Sequence, residues 1–313
     1  MMKRFTLFGA LCALVISSGI AQTVAFGKPR ITITPAPWIG TPQPANSIFP
    51  TVPQRNLFGS DFFPAAPTVL LDNTATTGFY FPEPGIVLDD ANIPQSRDTD
   101  GDSVYYLTSI DYAFYISTDQ AVNLSFYLAG VDPANGGPDP ADLSAPIATV
   151  SATLSAGAYI LTLEFERCSP AEITAAEFTI SAGTFDYFWT GMSNGGVCTG
   201  GPGMLLASGP DFEDDVFWWE GNQSCGGTAV PGFYFFGGNP RASFYLKVMG
   251  AATLEDAIVT NPDVNGDGCV DDADLLAVLF AFGSDDASAD VNCDGIVDDA
   301  DLLEVLFNFG SGC

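Results

Sequence analysis

Two twelve-residue stretches near the C-terminus carry oxygen-bearing side chains at matching positions. The first places Asp263, Asn265, Asp267, Asp271 and Asp274 at positions 1, 3, 5, 9 and 12, and the second places Asp290, Asn292, Asp294, Asp298 and Asp301 at the same positions. Glycine stands at position 6 of both, as Gly268 and Gly295. A hard cation such as Ca²⁺ takes roughly six to eight oxygen ligands. A short loop supplies them by turning sharply and aiming alternate side chains inward, and glycine permits that turn. Cys269 and Ile296 fall at position 7, where such loops use the backbone carbonyl. The spacing predicts two sites that hold two Ca²⁺ ions.

Each stretch is followed by Leu-Leu-x-Val-Leu-Phe-x-Phe-Gly, at Leu275–Gly283 and Leu302–Gly310. Leu275, Leu276, Leu279 and Phe280 fall on one face of a short helix, and Leu302, Leu303, Leu306 and Phe307 repeat the pattern. Gly283 and Gly310 are natural helix terminators. The ligand spacing is that of an EF-hand loop, but Thr260-Asn261-Pro262 leaves no entering helix before the first copy. Two tandem loop–helix units with Asp at position 12 resemble a dockerin, of the compact bacterial type whose chain ends in Gly-Cys, here Gly312-Cys313. Asp272-Ala273 and Asp299-Ala300 stand where cellulosomal dockerins often carry hydroxyl residues, and Ser284–Ala289 is too short for their middle helix. The resemblance implies a cohesin-like scaffold or surface protein as partner.

Met1–Ala25 reads as a secretory signal peptide, with Lys3 and Arg4 before the apolar stretch Phe5–Ile16. That stretch is too short to span a bilayer, and no membrane span is expected in the mature chain. The chain holds 38 acidic residues, 9 basic residues and no His. Fifteen of the acids and none of the bases lie in residues 255–313. Such a charge repels nucleic acid and anionic lipid. An exported, secreted or cell-surface protein is the expectation.

Six cysteines follow the signal segment: Cys168, Cys198, Cys225, Cys269, Cys293 and Cys313. An even number in an exported chain implies disulfides. Cys198 with Cys225, both in Gly-rich loops, is one expected pair. Cys269 with Cys313 is another, formed if the two helices pack antiparallel.

Residues 26–55 are Pro-rich and read as an extended linker or leading edge. Residues 56–250 show short alternating strands broken by Gly, Pro, Asn and Asp. Val122, Leu124, Phe126 and Leu128 alternate with polar neighbours, as do Tyr159, Leu161, Leu163 and Phe165. Phe185, Tyr187 and Trp189, then Val216–Trp219, Phe233–Phe236 and Phe244, Leu246 and Val248 continue the pattern. The predicted fold is mainly β, an antiparallel jelly-roll-like β-sandwich at 56–250. A linker at 251–262 and a small α-helical dockerin at 263–313 follow it. The runs Thr68–Thr74, Tyr106–Tyr115, Leu124–Leu128 and Asp215–Trp219 resemble secreted bacterial β-sandwich proteins with interchangeable C-terminal anchors.

Without His, neither a Ser-His-Asp triad nor a His-ligated zinc site can form. Hydrolysis here would need paired carboxylates. Glu164 with Glu166 on one strand, and Glu213, Asp214, Asp215 and Glu220 around Trp218-Trp219, are the candidates, although such sets more often form a solvated strand face or loop. Trp189, Trp218, Trp219, Phe188 and Tyr234 could stack on sugars, although core packing competes for them. Asp98, Asp100 and Asp102 could hold a third cation or simply close an Asx turn. Asn222-Gln-Ser224 matches a glycosylation triplet. No catalytic residue is assigned. The sequence reads as a calcium-binding anchored protein whose sandwich binds, with polysaccharide as a candidate ligand. The alternative is a dockerin-bearing glycoside hydrolase acting in polysaccharide catabolism.

Overall fold

A computed structural model describes residues 29–44, 67–81, 84–180, 183–209, 211, 216–221, 231–236, 243–258 and 260–313. The predicted signal segment, Glu213–Asp215, Asn222–Ser224 and Cys225 lie outside them. Seventeen strands are described: β1 (Arg30–Pro35), β2 (Gln43–Pro44), β3 (Thr68–Asn73), β4 (Thr76–Phe81), β5 (Ile86–Pro94), β6 (Val104–Ile116), β7 (Gln120–Ala129), β8 (Ala148–Leu154), β9 (Gly157–Glu164), β10 (Ala171–Thr174), β11 (Ala176–Ile180), β12 (Gly183–Ser193), β13 (Gly203–Ala207), β14 (Val216–Trp219), β15 (Gly232–Phe235), β16 (Ser243–Phe244) and β17 (Leu246–Ala251). Helices α1 (Leu254–Ala257), α2 (Asp272–Ala281) and α3 (Asp299–Phe307) follow.

The strands form two sheets, antiparallel except where β2 meets β4. The larger runs β1-β9-β6-β13-β4-β2, with β3, β10, β16 and β17 attached; the smaller runs β15-β14-β5-β12-β7-β8, with β11 on β12. Period-2 alternation places the core between them. Val122, Leu124, Phe126 and Leu128 from β7 and Tyr159, Leu161 and Leu163 from β9 all bury into one cluster. Each such side chain contributes about 1.5–3 kcal/mol on leaving water.

Among the described residues, hydrogen bonds cross the two sheets at three points. The Tyr105 hydroxyl of β6 donates to Asp186 of β12 at 2.6 Å. Tyr112 of β6 pairs with Thr190 of β12, and Ser243 of β16 donates to Asp89 of β5. A buried polar group left without such a partner costs about 1–3 kcal/mol, so these contacts fix how the sheets register. Burial raises the phenolic pKa of both tyrosines, and at Tyr105 the hydrogen bond to Asp186 adds to it.

One boundary differs from the sequence reading. Arg30–Pro35, read as part of an extended linker or leading edge, pairs along its length with β9. Ile31 and Ile33 alternate onto the core while Pro29 and Pro35 bracket the strand. An edge strand tolerates proline because one side of its backbone needs no ladder partner.

Candidate functional site

The two acidic loops fold alike. In the first, the Asp263 carboxylate accepts the amides of Gly266 and Gly268 at 2.9 Å and of Asp267 at 3.2 Å. Asn265 accepts the Asp267 amide, and Asp267 accepts that of Cys269. In the second, Asp290 accepts the amides of Asp294 and Gly295, while Asn292 and Asp294 repeat the next two contacts. Gly268 and Gly295 sit at φ 91° and 92°, a left-handed conformation that disfavours any side chain.

Position 12 is the most buried carboxylate of each loop. Asp274 and Asp301 are both 0% exposed. Asp274 accepts the Asn265 and Asp271 amides; Asp301 accepts those of Val291, Asn292 and Asp298. Asp271 and Asp298 each cap the following helix, so positions 9 and 12 form a reciprocal capping box. The carboxylates stabilise the helix N-termini through the dipole as well. Position 8 ties the units together. Val297 exchanges backbone hydrogen bonds with Gly283 and Ser284, and Val270 does so with Gly310 and Ser311.

The donor set fits Ca²⁺ in type and number. Each loop offers four carboxylates and one amide oxygen in the expected order, with no soft ligand among them. Their oxygens are engaged by amides of the same loop. Among the described residues, the three carboxylates whose ligand atoms all lie within 4.8 Å of one another are instead Asp98, Asp100 and Asp102. Asp98 accepts the Gly101 and Ser103 amides, closing the turn. Partial desolvation, contact with Asp98 and repulsion from Asp102 raise the Asp100 pKa.

Both helices split their apolar residues between an inner and an outer face. Val278 and Val305 are buried, with Leu275 and Leu302 packed beside them. Leu276, Leu279, Leu303 and Leu306 are about half exposed, while Phe280 and Phe307 are 87% and 79% exposed. The two outer faces present the same residue types from repeated units.

The second loop is fastened to the sandwich in a way the sequence does not reveal. Arg167, in the turn between β9 and β10, donates to the carbonyls of Asp290 at 2.6 Å and Val291 at 2.7 Å. The adjacent Cys168 forms a disulfide with Cys293, Cα to Cα 5.0 Å. Burial lowers the Arg167 pKa, opposed by Asp290 and Asp301. Cys293 occupies position 4, where the first loop has Gly266, and takes a left-handed φ of 62° like that glycine's 73°. The sequence signal was this Gly-to-Cys exchange, since the loops differ elsewhere only at position 7, Cys269 against Ile296. Cys269 pairs with Cys313, as antiparallel packing implied. Close approach there requires Gly312, since a Cβ would lie 2.1 Å from the Gly268 carbonyl oxygen. Cys198 is disulfide-bonded, and its expected partner Cys225 lies outside the described residues.

Glu164 and Glu166 line one open cleft of about 700 Å³, between the sandwich and the second loop. Arg30 reaches Glu164 at 3.7 Å. Trp218 and Trp219 face opposite ways: Trp219 packs edge-on to Phe81 toward the core, and Trp218 lies on the outer face and donates to Glu220 at 2.7 Å. Phe188 is buried in the core, Trp189 is buried under the outer face, and Tyr234 packs partly buried against Phe217. Among the described residues no helix is long and apolar enough to cross a membrane. The chain matches no family model, no curated protein and no solved structure.

Proposed function

We propose that this is an exported calcium-binding protein whose C-terminal loop–helix pair is a dockerin-like anchor for a cohesin-like scaffold or surface protein. The sandwich, jelly-roll-like in this reading, is its cargo and acts by binding rather than catalysis. The observation that carries the reading is the duplication. Two loops whose Asp and Asn side chains at positions 1, 3, 5 and 12 accept amides of their own loop each launch a helix that leaves a Phe and two Leu outward. Asp263, Asn265, Asp267, Asp271 and Asp274 with the Cys269 carbonyl would hold one Ca²⁺. Asp290, Asn292, Asp294, Asp298 and Asp301 with the Ile296 carbonyl would hold the other. The ion supplies positive charge that offsets carboxylate repulsion. The residues order the loops and present the helix faces. Carbohydrate is the ligand class that best suits the exposed side of Trp218 with Glu220 beside it.

Binding of the full chain to a panel of recombinant cohesin domains tests the anchor. Capture is expected with Ca²⁺, is expected to vanish with chelator, and is expected to fall at least tenfold in a Phe280→Asp, Phe307→Asp double variant, as for loss of two exposed aromatic anchors. Because the units repeat, either single variant should retain binding. Capture indifferent to both calcium and the double variant contradicts the anchor. A polysaccharide hydrolase is the second reading, favoured by one fact: Glu164 and Glu166 share a cleft. Hydrolysis abolished by Glu164→Gln would establish it.

A further inference from the structure

The outer face of the smaller sheet holds a second cavity, unrelated to the acidic loops. It is an open pocket of about 250 Å³ walled by the rings of Phe178, Tyr187 and Phe233, with the buried ring of Trp189 beneath them. The rings meet at steep angles. Phe178 and Tyr187 stand at 90° with centroids 5.4 Å apart, and Tyr187 and Trp189 at 84° and 6.2 Å. Phe233 is tilted 59° to Trp189 at 5.8 Å. Such an arrangement makes a box rather than a flat platform.

One carboxylate joins this lining. Asp90 of β5 lies directly across the ladder from Trp189 of β12, which puts both side chains on the outer face. Asp90 is 7% exposed. Its charge reaches the Tyr187 hydroxyl, whose pKa rises first through burial and then through that carboxylate.

The indole and phenol donors of the box are already engaged. Trp189 Nε1 and the Tyr187 hydroxyl both donate to the Gly136 carbonyl, at 3.1 and 3.3 Å. The Asn135 amide donates to Asp132. A sugar needs donors as well as acceptors. What the pocket presents is aromatic ring surface beside the charge of a buried carboxylate, which together suit a cation with little hydration. Gly136 is also required at the rim, since it takes φ 80° and a Cβ there would sit 3.3 Å from the Tyr187 hydroxyl.

We propose that this aromatic box with Asp90 binds an alkylated ammonium group, either a free small cation of the choline type or a methylated lysine side chain. The proposal goes beyond the calcium reading and holds whether or not the loops take metal. Titration of the full chain followed by Trp fluorescence tests it, with choline, a trimethyllysine peptide, the neutral choline isostere 3,3-dimethylbutan-1-ol, and mono- and disaccharides as probes. Choline or the peptide should bind at least about tenfold tighter than the neutral isostere, the scale of a desolvated cation–π contact. Tighter peptide binding identifies a protein source; equal binding identifies the free cation. Asp90→Asn should weaken the ammonium at least about tenfold. Phe233→Leu, at a ring 42% exposed and so outside the core, should weaken it while leaving circular dichroism unchanged. Equal binding of choline and its isostere, saccharide binding without ammonium binding, or retention of affinity in a folded Phe233→Leu variant would overturn the assignment.

Discussion

Asp301→Ala is expected to cost the C-terminal unit about 3 kcal/mol or more, because it removes the acceptor of three backbone amides at a position with no solvent access. Each donor left unmet inside costs about 1–3 kcal/mol. Relief of repulsion from Asp290 and Asp298 offsets part of that sum. Asp274→Ala should cost less, since Asp274 accepts two amides rather than three. Hydrogen exchange on the full chain reads the difference directly. In Asp301→Ala, amides of residues 291–308 should lose protection while those of β6, β9 and β12 keep it. Equal loss in the two variants, or uniform loss across the chain, would refute the assignment of Asp301 as the keystone of the second loop.

Removing the bond between the sandwich and the second loop should have an effect of similar size. Cys168 and Cys293 are separated by 125 residues, and Cys269 and Cys313 by 44. Chain-entropy reasoning assigns about 5 kcal/mol to the first cross-link and about 4 kcal/mol to the second. A Cys168→Ser, Cys293→Ser double variant should therefore unfold at lower denaturant than wild type, and Arg167 alone should not hold the loop. Cys293 also adopts a left-handed backbone that its removal from the bond leaves unsupported. Cys293→Gly paired with Cys168→Ser should recover part of the loss, as Gly266 suits the same position in the first loop. No recovery would mean that the backbone conformation contributes little.

Local chemistry was legible in the chain, and pairing across more than a hundred residues was not. Alternation over Val122–Leu128 and Tyr159–Phe165 identified strands and their inward faces because the side-chain period of a strand is two. The turns of the acidic loops followed from Asp and Gly spacing; the helix starts did not, because a capping box begins each helix at Asp272 and Asp299, three residues before the first Leu of the apolar pattern. The helix faces were read less well. Leu275, Leu276, Leu279 and Phe280 were placed together, yet Val278 is the residue that turns fully inward. Which residue of a short, uniformly apolar helix faces in depends on the opposing helix, and that is tertiary information. Arg30–Pro35 shows the same limit: within a Pro-rich linker or leading edge, six residues with a proline at one end carry too little pattern to mark a strand until β9 is beside them. The Arg167 contact and the Cys168–Cys293 bond span more than a hundred residues, and nothing local specifies them. The aromatic box combines residues from β5, β11, β12, β15 and the 130–140 loop, so only the fold assembles it.

Calcium titration calorimetry on the chain from residue 26 tests the central claim most directly. Two ions per chain are expected, falling to one in Asp263→Ala and to one in Asp290→Ala, with stability rising by about 2.7 kcal/mol for each site at a hundredfold excess over Kd. Asp98→Asn, Asp100→Asn should leave the stoichiometry at two. No calcium uptake, or uptake removed by the Asp98 and Asp100 changes and untouched by those at Asp263 and Asp290, would contradict the account.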